Sequence, residues 1–283
     1  MTNAAQLWLV ANSASGSNSD DGLAALVEQL GAAGHPPARV IDVIADDLPD
    51  RAALDAAGVT TLAVFTGDGT LGALLPPLAG WAGQVLVLPG GTTNLLAKML
   101  HEPCETAAII SAFAAGQGRV VQPSCVRSSV QVALCEVLAG PGAMWSDVRE
   151  GMREGDLTEV ASTAFEAATA SASGAMVQIV QPQLGHAEGY AGVRIVPGAQ
   201  GLMIDGYRAD RFADYFKHGL ALLQRDFRQG PHDELGAHCE VVCRSADGSP
   251  IELMIDGERV TGTAQQRFSL ATLALNLFAT GHA

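Results

Sequence analysis

The sequence predicts two domains of different class. Residues 1–120 read as an α/β domain on an open, mainly parallel sheet in three layers, rejoined by a C-terminal segment 268–283. Residues 121–267 read as a mainly antiparallel β-sandwich domain. Three observations carry this. Strand-like and helix-like runs alternate through the first 120 residues, the order that builds parallel sheets with helices on both faces. From about Arg119 the apolar runs instead alternate with polar residues, as in antiparallel sheets. A chain of 283 residues has material for both cores.

The N-terminal elements follow in order. Strands are expected at Leu7–Ala11, Arg39–Ile44, Thr61–Thr66 and Gln84–Leu88. Helices are expected at Asp21–Leu30, at Leu48–Ala57 with Pro49 in its first turn, at Thr92–Leu100 and at Cys104–Ala115. The second region offers strands at Val120–Arg127, Val130–Leu138, Ala175–Gln181, Gly192–Val196, Gly201–Tyr207, Cys239–Arg244 and Ile251–Ile255. Ser245–Ser249 reads as a hairpin connection. Helical interruptions are expected near Gly142–Arg153, Leu157–Ala172 and Arg211–Phe227, and Phe268–Ala279 is expected to pack on the first domain.

Composition narrows the function classes. The formal charge is −14, and fourteen of the sixteen cations are arginines, leaving only Lys98 and Lys217. No basic stripe exists to neutralise nucleic-acid phosphates, and an anionic membrane should repel the chain. No apolar run reaches the roughly 18–20 residues of a membrane span. The first residues lack a basic n-region and read as a strand, not a signal peptide. Five cysteines without a CxxC pair point to reduced thiols and a cytoplasmic setting. Cys239 and Cys243 with His232 and His238 lack zinc-finger spacing, and the two cysteines read as small buried side chains.

Three turns carry the chemistry. Gly67-Asp68-Gly69-Thr70 follows the third strand, and Gly90-Gly91-Thr92-Thr93-Asn94 follows the fourth. Asn12-Ser-Ala-Ser-Gly16 follows the first. Ligands of open α/β sheets bind outside the carboxyl ends of the strands, where these turns are expected. Glycine lets backbone approach a ligand closely, and a helix starting at Thr70 would aim free N–H groups at phosphate. Asp68 beside a polyanion implies a divalent cation such as magnesium. None of the turns is a Walker A loop, because the glycine–lysine–hydroxyl sequence is missing. A near-repeat also stands out: 202-LMIDGYR-208 and 253-LMIDGER-259, read as two strands that end in similar Asp-Gly turns. Nothing else recurs at that spacing, which excludes a solenoid.

Taken together, Asn12–Gly16, Gly67–Thr70, Pro89–Asn94 and Asp256-Gly-Glu258 resemble, in order and approximate spacing, the diacylglycerol kinase catalytic family, including bacterial lipid kinases and sphingosine kinase-like enzymes. The likeness extends to 196-VPGAQGLMIDG-206 and so covers nearly the whole chain. It implies an ATP- and Mg2+-dependent kinase that phosphorylates a hydroxyl of a diacylglycerol- or sphingoid-like lipid in a cleft between the two domains. It implies that Asn12, Gly16, Gly67, Asp68, Gly69, Thr70, Gly91, Thr92 and Asn94 hold ATP. It assigns Glu258, with Asp256 beside it and Asp68 at the phosphates, to the catalytic centre, Glu258 being the proton acceptor. It implies a structural magnesium at Asp205, with backbone oxygens of Leu202 and Tyr207. Phosphoryl transfer needs positioning, charge neutralisation and such a carboxylate, so the residue types agree.

The chain departs from the family pattern at Thr66, where a glycine is usual, at Ser13, where proline is, and at Leu95, where an acidic residue is common. Pro76-Pro77 should also interrupt the helix after the Gly-Asp-Gly turn. NAD kinase, which shares Gly-Asp-Gly-Thr, is an alternative, as is a catalytically weak nucleotide-binding regulator. The partners expected are ATP and a lipid-like substrate, with no nucleic acid, at most transient membrane contact, and a homodimer as an option. A stripe of Phe212, Tyr215, Phe216, Leu220, Leu223 and Phe227 at helical spacing reads as an amphipathic helix that covers the sheet or meets lipid.

Overall fold

The computed structural model describes residues 6–12, 20–144, 174–208 and 232–281. In chain order the first elements are β1 (Gln6–Ala11), α1 (Asp20–Ala32), β2 (Arg39–Asp42), α2 (Arg51–Ala56) and β3 (Val59–Thr66). There follow α3 (Asp68–Leu74), β4 (Gln84–Pro89), α4 (Leu95–Leu100), α5 (Thr106–Ala114) and β5 (Arg119–Val121). The antiparallel part contains β6 (Ser124–Arg127), β7 (Val132–Ala133), β8 (Val137–Ala139), β9 (Val177–Gln181), β10 (Gln183–Leu184) and β11 (Gly192–Pro197). It continues with β12 (Leu202–Tyr207), β13 (Asp233–His238), β14 (Glu240–Ser245), β15 (Glu252–Ile255), β16 (Glu258–Thr261) and β17 (Gln265–Thr272), and β18 (Asn276–Ala279) closes the chain.

The chain divides into two units, residues 1–123 with 272–283, and residues 124–271. In the first, a six-stranded sheet runs β2-β1-β3-β4-β18-β5, parallel except where β18 meets β5. The connection β1-α1-β2 moves one way along this sheet, and β2-α2-β3-α3-β4 moves the other. Right-handed crossovers then put α1 on one face and α2 and α3 on the opposite one. Packing agrees: Leu7, Leu9, Ala63, Phe65, Leu86 and Leu88 form one cluster with Leu26 and Leu30 of α1 and Ile109 and Ile110 of α5. Their strand neighbours Val10, Leu62, Val64, Val85 and Val87 are fully buried too. Burial on both faces explains why these strands are continuously apolar.

The second unit has two antiparallel sheets, β10-β9-β14-β17-β6-β7 and β13-β12-β11-β8-β15-β16. Alternate residues of each supply one core. Ile179, Val241, Cys243 and Phe268 come from the first sheet, and Val193, Ile195, Ile204, Leu253 and Ile255 from the second.

Several expected boundaries shift for local reasons. The helix expected from Leu48 begins at Arg51, because Asp50 caps it by accepting from the Ala53 N–H at 2.7 Å, so Pro49 precedes the helix. The helix expected from Thr92 begins at Leu95, because Asn94 has φ 52°, outside helical geometry. Pro76-Pro77 does end α3, in a single 3-10 turn over Pro76–Leu78. The run Val120–Arg127 is two strands of different sheets, β5 and β6. Ser245–Ser249 joins β14 to β15, which also belong to different sheets, so it is not a hairpin. The return to the first unit begins at Thr272, and Phe268 stays in the core of the second. Asp205-Gly206 lies inside β12, paired with Arg194 and Val193, and is not a turn. The helices expected over Gly142–Arg153, Leu157–Ala172 and Arg211–Phe227, with the stripe from Phe212 to Phe227, lie wholly or mostly outside the described residues. Among the described residues, no helix is long and apolar enough to cross a membrane.

Candidate active site

In the first unit, strand register brings the turns together. Ala11 pairs with Phe65, and Phe65 with Leu88, so Asn12, Gly67 and Gly90 emerge side by side at the carboxyl ends of β1, β3 and β4. The strand order reverses at β1 and β3, the position where open α/β sheets leave a ligand crevice. Gly16 lies outside the described residues.

The glycines are needed for close approach. A Cβ on Gly90 would lie 2.5 Å from the Phe65 carbonyl carbon, and one on Gly91 would lie 2.6 Å from Cα of Gly67. No side chain fits there, so the two turns touch backbone to backbone. The second turn is braced by Asn94. Its side-chain oxygen accepts from the Gly91 N–H, and its amide donates to the Gly91 carbonyl, both at 2.7 Å. Asn94 therefore shapes the loop that carries Thr92, whose side chain is exposed.

Asp68 has a role that its position in the sequence did not announce. It is buried, and its two oxygens accept from the N–H groups of Leu95 and Leu96 at 3.0 and 3.2 Å. It caps α4 from the neighbouring turn, binding the two glycine turns into one body. It also explains why Leu95 is tolerated where an acidic residue is common: the turn uses the backbone of Leu95. Thr66, the other departure here, is 1% exposed, and its hydroxyl donates to the Gly67 carbonyl, so it does not crowd the turn. The helix starts at Asp68 rather than Thr70, leaving the N–H groups of Asp68, Gly69 and Thr70 without partners inside the helix.

Beneath α4, His101 is held between the Val87 carbonyl at 3.0 Å and the Thr280 hydroxyl at 3.2 Å. Burial pushes its pKa down to about 4, against a smaller upward effect of the Val87 hydrogen bond, so the ring is neutral at pH 7.

In the second unit, Asp256 and Gly257 form the two-residue turn between β15 and β16. Both have positive φ, 50° and 96°, the type I′ pattern. The Asp256 carboxylate is 5% exposed and accepts from three backbone N–H groups, those of Leu134, Cys135 and Glu136, at 2.6, 2.8 and 2.9 Å. Its own N–H donates to the Glu136 carbonyl at 3.0 Å. Asp256 thus pins the segment between β7 and β8 to the turn. Glu258, two residues on, is exposed on the edge strand β16, and no described residue bonds to its carboxylate. The pair divides sharply: Asp256 is buried and builds the turn, and Glu258 is exposed beside it.

Leu202, Asp205 and Tyr207 do not come together. Leu202 and Tyr207 end the same six-residue strand, roughly 16 Å apart at the usual rise of an extended chain. The Tyr207 carbonyl accepts from the Ala191 N–H, and the Asp205 carboxylate pairs with Arg194 at 3.2 Å. Among the described residues, no group of three or more His, Cys, Asp or Glu could hold a metal. Of the two cysteines expected to be buried, Cys243 is, and burial pushes its thiol up to about 12; Cys239, at the junction of β13 and β14, is exposed instead.

Sequence reasoning missed Glu136 and Arg194. Glu136 is 4% exposed, and the Arg194 guanidinium bonds to it at 3.0 Å as well as to Asp205. A signal existed: each is a lone charge within an apolar strand-like run, and opposite charges so placed are expected to pair.

Residues 6–126 match the family model of the diacylglycerol kinase catalytic domain. These residues belong to that family. The matched segment includes all three turns, Asn12–Gly16, Gly67–Thr70 and Gly90–Asn94. No curated protein sequence matches the chain. Among solved structures, the fold is similar to a candidate diacylglycerol kinase from Bacillus anthracis str. Sterne, with TM-score 0.61, 17% identity, and 97% of each chain covered. It is also similar to a second structure from that organism described as a diacylglycerol kinase, with TM-score 0.59, 17% identity, and 97% of this chain and 96% of that one covered. At that identity the likeness concerns the fold, and it extends through both units.

Proposed function

We propose that the protein is a kinase that transfers the γ-phosphate of ATP to a hydroxyl of a lipid-like acceptor. The observation that carries this reading is the meeting of the glycine turns at the β1/β3 reversal, within a diacylglycerol kinase catalytic domain. Gly67, Gly69 and Gly91 let backbone approach the phosphates, and the leading N–H groups of α3 and the hydroxyls of Thr70 and Thr92 supply donors. Asn12 borders the same crevice. Asp68 and Asn94 act by holding the turns, and Glu258 accepts the proton of the attacking hydroxyl. The described carboxylates do not cluster as a metal cage, so magnesium enters this reading as part of the MgATP substrate, carried chiefly by phosphate oxygens.

Calorimetric titration with ATP and magnesium tests the nucleotide part. Wild type should bind, and Gly91→Ala, which forces a Cβ against the first turn, should bind at least ~10-fold more weakly. Equal affinity of the two would remove the turns from the site. A panel of diacylglycerol, a sphingoid base and NAD then identifies the acceptor class. Phosphorylation of NAD alone would replace the lipid reading.

A further inference from the structure

We infer that Arg194 is an internal cation that positions the Glu258 hairpin, in place of a bound metal ion at Asp205. This rests on the reading of Glu258 as proton acceptor. The carboxylate that a structural magnesium would need already faces basic partners: Arg194 Nη1 lies 3.2 Å from Asp205 Oδ2, and His232 Nε2 lies 3.9 Å from Oδ1. The carbonyl of Tyr207 accepts the Ala191 N–H at 2.9 Å, so the strand ladder uses one of its two lone pairs. The remaining Arg194 contact runs the other way along the sheet, from Nε to Glu136 Oε2 at 3.0 Å.

Register explains why the guanidinium reaches both acids. Arg194 on β11 stands opposite Asp205 on β12 and opposite Leu138 on β8, so the three share one face. Glu136 is two residues before Leu138 and returns to that face. A planar fork can bond to two carboxylates at once, whereas an ammonium acts as a single point. Both acids are mostly buried, so the charge between them is weakly screened, and removing it would leave two like charges facing each other.

Glu136 then transmits the restraint. Its N–H donates to the Asp256 carboxylate, and its carbonyl accepts from the Asp256 N–H. Asp256 is the first turn residue of the hairpin that carries Glu258. The chain from Asp205 through Arg194, Glu136 and Asp256 is continuous, and its last member is two residues from the proposed base. Arg194 is a positioning residue: it touches no reacting atom, and it fixes where the acceptor carboxylate stands.

The test uses the full chain, with Arg194→Lys and Arg194→Met as variants and Tyr207→Phe as a nearby control. The first readout is hydrogen exchange at the amides of Leu134, Cys135 and Glu136, which does not depend on any activity. Exchange should quicken at least ~10-fold in Arg194→Met, and less in Arg194→Lys, with Tyr207→Phe unchanged. The second is thermal stability of wild type without nucleotide, which should be the same with magnesium and with chelator. The third is the kinetic split: Arg194→Met should lower kcat at least ~10-fold while KM for ATP stays within about twofold. Should Arg194→Met not fold, Arg194→Lys is read for exchange and kcat. Unchanged exchange, or a magnesium-dependent gain in stability that Asp205→Asn removes, would overturn the proposal. Altered exchange in a protein that phosphorylates none of the acceptors would instead place the failure in the kinase reading.

Discussion

The segments 202-LMIDG-206 and 253-LMIDG-257 are identical in sequence and differ in structure. The first lies within β12, flanked by strands on both sides. The second runs off the end of β15 into a type I′ turn. Leucine and isoleucine of both copies are buried, so the alternation of the strand is the same. What differs is the context. Met203 is 47% exposed and Met254 1%; Asp205 meets an arginine side chain, and Asp256 meets three backbone amides. Even the glycines are required for different reasons. A Cβ on Gly206 would lie 2.4 Å from the Tyr190 ring, whereas Gly257 needs its positive φ. Identical pentapeptides therefore fix the strand and leave the carboxylate's role to residues far away in the chain.

The largest expected difference is between the aspartates. Asp256→Ala orphans three buried N–H groups and should cost about 3–5 kcal/mol, at 1–3 kcal/mol for each before relaxation. Asp205→Ala leaves Arg194 paired with Glu136 and should cost about 1–2 kcal/mol. Urea unfolding of both variants checks this, and equal losses would break the comparison.

The glycines come next. Gly206→Ala should cost about 1–3 kcal/mol by overpacking against Tyr190, and Gly257→Ala about 1–2 kcal/mol by backbone strain. Tyr190→Leu should offset part of the first and none of the second in a double-mutant cycle. Additivity in both cycles would show that the ring is not what requires Gly206.

The smallest effect concerns acid. Reading either carboxylate by acid titration requires that His101 be accounted for first. Its folded pKa of about 4 lies below the ordinary 6.5, so the unfolded chain binds the extra proton. Its contribution to stability is fully present above pH 6.5 and is lost as pH falls towards 4. Melting temperature should therefore decline across that window, and His101→Gln should flatten the decline. A slope unchanged by that substitution would assign it to other groups.

This comparison also marks what the sequence could show. Apolar alternation placed both LMI strands, and the glycine turns after β3 and β4 were legible because a short-range pattern makes them. The bond of Asp68 to Leu95 and Leu96 was not, nor that of Asp256 to residues more than a hundred positions earlier. Such partners are chosen by strand order, on which local pattern is silent. The near-repeat misled for that reason: an Asp-Gly pair favours a turn, and the pairing of β12 with β11 and β13 overrides it at Asp205. Arg194 and Glu136 were visible only as charges in apolar runs.

The central claim is that the second copy carries the proton acceptor, Glu258, and that its neighbour Asp256 only builds the turn. Transfer of labelled phosphate from ATP to diacylglycerol in mixed micelles, measured for wild type and Glu258→Gln alongside their melting temperatures, tests it most directly. The account predicts a labelled lipid with wild type and a rate at least ~100-fold lower in the variant, the usual scale for a positioned base, with melting temperature unchanged. A Glu258→Gln protein as active as wild type would contradict it.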